Sequence, residues 1–164
     1  MVKRILKIFL EIVIVIITYL LQIYVVNNTL FFGVRGDLCL MLIATIALLG
    51  NNLRAYVYAI ICGLLSDIIF SSGVAKYLVI YVIVVSVLIG LKKMYNQDSK
   101  AAIIIFAAIS VIIAEIIKYL FEMLSSNVVN VFSFIMLVFK EGVINIFLAY
   151  ILYVIYAKVI NIKE

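Results

Sequence analysis

Five carboxylates, Asp37, Asp67, Glu115, Glu122 and Glu141, stand within or beside long apolar runs, in company with Arg35, Lys118 and Lys140. Acids in such surroundings have a short list of uses. Two held together work as general acid and base, acids matched with lysines form a structural ion-pair network, and a polar cluster left over receives a partner chain, a ligand or an ion. Asp67 with Glu115 is the pair that the carboxylate dyad of an intramembrane protease would draw on, but no spacing joins them. The chain has no His, so the commonest general base is missing. It has no glycine-rich phosphate loop either. Cys39 and Cys62 are the only thiols, too few and too far apart in sequence for a metal-site spacing. Both fall inside apolar runs and read as small buried apolar residues. No catalytic residue, cofactor or metal is expected.

The elements that carry these charges are set by composition. Of 164 residues, 69% are hydrophobic and 13% charged, where a soluble domain would carry about a quarter charged. Mean hydropathy is +1.38. Apolar runs recur from end to end, which predicts an all-α polytopic membrane protein forming one integral membrane domain over 1–164. The formal charge of +5 is not a nucleic-acid footprint. Its basic residues sit in short hydrophilic breaks, where they set topology and draw anionic lipid headgroups weakly.

Six spans are expected, over 5–26, 38–50, 55–70, 77–91, 101–124 and 140–160. Lys3, Arg4 and Lys7 precede the first as they would in a signal peptide, but 8–26 is too long for that apolar region and no small-residue cleavage pattern follows. The first span is therefore read as uncleaved. The second, third and fourth are short; 38–50 makes only about 20 Å of helix against a hydrocarbon core of about 30 Å. Bilayer thinning or a hairpin that enters and leaves on one side would accommodate them. Because 128–160 is too long for one span, 128–139 is read partly as an interfacial helix.

Charge then sets orientation. One side receives Lys3, Arg4, Lys7, Arg54, Lys92, Lys93, Lys100, Lys158 and Lys163, and the other receives Arg35 and Lys76. Such a bias places both termini in the cytoplasm. Nearly all the charges within spans then fall in the outer half. Glu11 lies near the inner end of the first span and is expected to pair with Lys7 or to snorkel.

Two faces are built alike. Ala55, Ala59, Gly63 and Asp67 recur at spacing four and stack along one face of the third span. Three small residues allow close helix approach, and the acid ends that face in a polar position. Ser110, Ala114, Lys118 and Glu122 repeat the pattern on the fifth span. Lys118 and Lys140 together neutralise two of Glu115, Glu122 and Glu141 across the last hairpin.

The order of these features resembles a known family. An outer loop reading Phe-Phe-Gly-Val-Arg-Gly-Asp-Leu from Phe31 leads into a short apolar helix. A turn follows, then Gly-Leu-Leu-Ser-Asp from Gly63 to Asp67, then Ser-Ser-Gly from Ser71, and a further span ending at Gly90. This stretch is similar to MreD, the polytopic subunit of the bacterial rod-shape machinery. The family usually carries Pro before the loop acid, where Gly36 stands here. The resemblance implies a non-enzymatic protein of the bacterial cytoplasmic (inner) membrane, with six helices arranged like the substrate-binding subunits of vitamin transporters. It would bind the single-span protein MreC and help couple MreB filaments to the cell-wall synthase during peptidoglycan synthesis. Arg35, Asp37, Ala55, Ala59, Gly63 and Asp67 are then the partner or packing candidates, and Glu115, Lys118, Glu122, Lys140 and Glu141 the outer polar network. The alternative is a small-molecule-binding membrane subunit of a transporter, its outer charges lining a ligand cavity.

Overall fold

A computed structural model describes residues 2–26, 33–70, 75–95, 100–124 and 130–160. Six helices account for nearly all of them: α1 Val2–Leu21, α2 Leu38–Leu49, α3 Asn52–Phe70, α4 Lys76–Lys92, α5 Lys100–Leu124 and α6 Val131–Ile160. A π-helical turn, Gln22–Val26, continues α1. Among the described residues, three stretches are long and apolar enough to cross a membrane: Asn52–Phe70, Ala101–Leu124 and Val131–Lys158. That much is compatible with a membrane protein. Of 128–139, read partly as an interfacial helix, 128 and 129 lie outside the described residues, and 131–139 belong to α6, which runs unbroken from Val131 to Ile160. No Gly or Pro lies between 131 and 139 to break it. Lys140 and Glu141 therefore sit about 15 Å along the helix instead of opening it.

The helix that organises the bundle is its shortest. Eleven of the twelve residues of α2 are buried, and α2 packs against α1, α3, α4, α5 and α6. Its apolar residues show no favoured face because every face is covered. This explains the length that looked too small for a span. A helix wrapped in protein on all sides is matched to its neighbours and not to the thickness of lipid. The outer helices invert the soluble pattern: Phe9 and Ile16 on α1, Ile60 and Ile68 on α3, Ile112 and Leu120 on α5, and Phe147 and Ile151 on α6 are all exposed. Large apolar surface on every outer helix is costly in water and favourable in hydrocarbon.

A buried short helix leaves its end amides and carbonyls without water, so side chains must meet them. At the Asp37 end, Asp37 caps its own helix by accepting the Leu40 amide at 2.9 Å. Gln22 accepts the Leu38 amide at 2.7 Å and donates to the Gly36 carbonyl at 3.3 Å. Asn145 of α6 accepts the Asp37 amide at 2.7 Å. At the Gly50 end, the Lys92 ammonium donates to the Gly50 carbonyl at 2.6 Å. An acid thus stands at the N-terminus of α2 and a base at its C-terminus, each the favourable sign for the helix dipole.

The small-residue face of α3 is a packing face, as its spacing predicts. Ala55, Ala59 and Gly63 are buried. A Cβ on Gly63 would lie 2.6 Å from the Leu78 Cα and 3.1 Å from its nitrogen, so α4 crosses directly over this glycine. Next to the crossing, Asp67 accepts the Tyr77 and Leu78 amides at 2.8 and 2.9 Å. Those are amides of the first turn of α4, whose own N-cap, Ala75, offers no side-chain acceptor.

Candidate functional site

The Asp37 end of the bundle encloses a cavity of about 500 Å³. Gln22 reaches it from the π-helical turn, Arg35, Gly36 and Asp37 from the loop before α2, Ser66 and Phe70 from α3, Tyr77 and Tyr81 from α4, Lys118 from α5 and Glu141 from α6. The π-helical turn, α3, α4, α5 and α6 therefore each present a polar or aromatic side chain, and the loop before α2 presents that helix's capping acid. The loop lies tight against α6: a Cβ on Gly36 would meet the Leu148 side chain at 2.6 Å.

Hydrogen bonds tie the wall together. The Tyr81 hydroxyl donates to the Asp37 carboxylate, 3.1 Å from either oxygen. Lys118 pairs with Glu115 one helical turn away and lies 3.8 Å from Glu141 across the α5–α6 interface. Glu115 is buried behind the wall, Glu141 is mostly buried, and Asp37 lies within electrostatic range of Lys118. On α4, Tyr77 stands edge-on to both Phe70 and Tyr81, with ring centroids 6.3 and 6.1 Å apart.

The expected residues divide into those the fold gathers and those it does not. Arg35, Asp37, Lys118 and Glu141 line the cavity, and Glu115 braces Lys118. Lys140 is exposed, lies on none of these walls and forms no ion pair among the described residues. The network therefore turns on Lys118 alone and not on two lysines. Lys118 reaches back one turn to Glu115 and across to Glu141, while Glu122 is exposed beside a shallow cleft with Tyr119 and Phe134. Ala55, Ala59 and Gly63 serve the α3 packing face, and Asp67 is committed to the first turn of α4. Asp67 and Glu115 thus hold different partners.

Sequence reasoning missed Gln22, Asn145, Tyr77 and Tyr81. Asn145 is buried within an otherwise apolar stretch of α6, which was a readable signal: an isolated amide there needs a partner. The tyrosines were hidden among the chain's eleven. At the opposite end, Glu11 does not snorkel, and the Lys7 side chain expected to pair with it lies outside the described residues. It is buried, and Arg54 of α3 holds both its oxygens, at 2.6 and 2.7 Å. Cys39 and Cys62 are free and buried, as read.

No family model, curated protein or solved structure matches this chain.

Proposed function

We propose that this chain is a non-enzymatic subunit of the bacterial rod-shape machinery, of the MreD type, spanning the inner membrane six times with both termini in the cytoplasm. The observation that carries the proposal is the Gly63–Asp67 joint. In the most specific piece of the resemblance, Gly-Leu-Leu-x-Asp, the first and last residues have distinct jobs: Gly63 admits the α4 backbone and Asp67 caps the helix it admits. A motif whose two defining residues lock one helix crossing is a motif about architecture, which suits a scaffold. The apolar outer surface, the lipid-independent central helix and the positive-inside count support a six-helix membrane bundle. Its arrangement would be like that of vitamin-transporter substrate-binding subunits. In this reading the Arg35–Asp37 loop and the outer ends of α5 and α6 face the single-span partner MreC, and MreB and the cell-wall synthase belong to the larger complex.

The test is co-purification of the full chain from native membranes, with mass-spectrometric identification of what it retains. Recovery of a single-span periplasmic coiled-coil protein with cell-wall synthesis components is the expected result. Their absence, or a pair of nucleotide-binding subunits in their place, overturns the proposal, the latter in favour of a transporter subunit.

A further inference from the structure

We infer that the cavity at the Asp37 end binds a zwitterion: an ammonium group seated between Asp37, Glu141 and the tyrosine wall of α4, with the molecule's anionic group at Arg35. Charge balance is the first ground. Against the acids Asp37, Glu115 and Glu141 stand Arg35 at the exposed mouth and, inside, Lys118, which Glu115 already holds and which lies 3.8 Å from Glu141, at the limit of an ion pair. Asp37 receives a tyrosine hydroxyl and a backbone amide, and no ion pair among the described residues. An excess of acids removed from water is costly, and either a proton or a cation that enters the cavity relieves it.

The shape and lining of the cavity say which cation. Among the described residues no three acids or cysteines converge as metal ligands do, so the site does not present the close oxygen cage of a bare ion. It presents instead about 500 Å³, within the range of small-molecule pockets, and the linked rings of Phe70, Tyr77 and Tyr81 along one side. Aromatic rings beside carboxylates are the surroundings in which organic ammonium groups are held. Arg35 completes the pairing. It lines the cavity yet is exposed, and it makes no ion pair among the described residues. A guanidinium at the rim of an acid-lined pocket matches a ligand whose cation goes in first and whose carboxylate or phosphate stays at the mouth. The ammonium–phosphate pairing occurs both in a free molecule and in a phospholipid headgroup. The inference stands whether or not the chain joins a rod-shape complex.

Thermal unfolding of the full chain in a maltoside detergent tests it, with three probes: phosphoethanolamine, dihexanoyl phosphatidylethanolamine and dihexanoyl phosphatidylglycerol. An ammonium-bearing probe at about a hundredfold its Kd is expected to raise Tm by roughly 5 °C or more, and phosphatidylglycerol to leave it unchanged. A shift with the lipid alone assigns the ligand to the membrane, and a shift with phosphoethanolamine assigns it to the soluble pool. Glu141→Gln is expected to abolish the shift, and the exposed-site variant Arg35→Gln to weaken the probe's affinity about tenfold, as loss of one charge-assisted contact does. No shift with either ammonium probe, an equal shift with phosphatidylglycerol, or an undiminished shift in both variants overturns the inference.

Discussion

Gly63→Ala adds one methyl group, and its cost can be worked from the α3–α4 crossing. The new Cβ would lie 2.6 Å from the Leu78 Cα, 3.1 Å from the Leu78 nitrogen and 3.4 Å from its Cβ. The nearest two are backbone atoms, so no side-chain rotation relieves the contact, and α4 must withdraw by about 1 Å to restore ordinary packing. That movement also lengthens the two bonds from Asp67, now 2.8 and 2.9 Å, to about 3.8 Å, beyond hydrogen-bonding distance. Overpacking of this kind costs about 1–3 kcal/mol, and losing a helix cap about 1 kcal/mol more. Alanine's better helix propensity returns about 1 kcal/mol. The net is a loss of about 1–3 kcal/mol, or a Tm lower by roughly 3–10 °C for a chain of this size. The assay is thermal unfolding in detergent followed by far-ultraviolet circular dichroism. Gly142→Ala is the matched control, since its added Cβ meets nothing within 4 Å and its Tm is expected to stay level or rise. A Gly63→Ala protein as stable as wild type, or a control that falls equally, would refute the close-crossing argument.

Three further perturbations probe the other joints. Asp67→Ala removes the acceptor for the first turn of α4 and is expected to lower stability by about 1 kcal/mol, while Asp67→Asn, which keeps one acceptor oxygen, retains most of it; equal melting of the two variants would sink the capping role. Asn145→Leu preserves bulk but leaves the Asp37 amide without its acceptor, and a loss of about 1–3 kcal/mol is expected, seen as faster amide exchange at the start of α2; unchanged exchange there would count against it. Arg54→Ala leaves the buried Glu11 carboxylate without its Arg54 partner. Because charge and partner act as a unit, the double variant Glu11→Gln with Arg54→Ala is expected to melt above Arg54→Ala alone; a double variant melting at or below the single one would show that the pair is not the determinant.

Apolar content and helical runs were legible in the residues because burying or exposing a whole 20-residue face is a property of composition and period, needing no knowledge of neighbours. The small-residue stripe Ala55–Ala59–Gly63 was legible for the same reason: spacing four implies one face, and absent side chains imply close approach. What each charge does was not legible. Asp67, Lys118 and Glu11 each have several acids, bases or amides within plausible reach along the chain. Only the packing of α4 over Gly63 hands Asp67 the Tyr77 and Leu78 amides, and only the α5–α6 pairing turns Lys118 toward Glu115 and Glu141 while Lys140 points away.

The sequence by itself determined that the chain is helical, that its outer surfaces are apolar, and that its polar residues are few enough to matter singly. The tertiary structure decided that the shortest helix is the central one. Segment length reads as a measure against lipid only when a segment faces lipid, and which segment is enclosed depends on five neighbours at once. From that enclosure the rest follows. The ends of α2 lose water, Gln22, Asn145 and Lys92 become their hydrogen-bond partners, and Asp37, fixed at the buried end, shares with Lys118 and Glu141 a cavity that no local pattern of residues could draw.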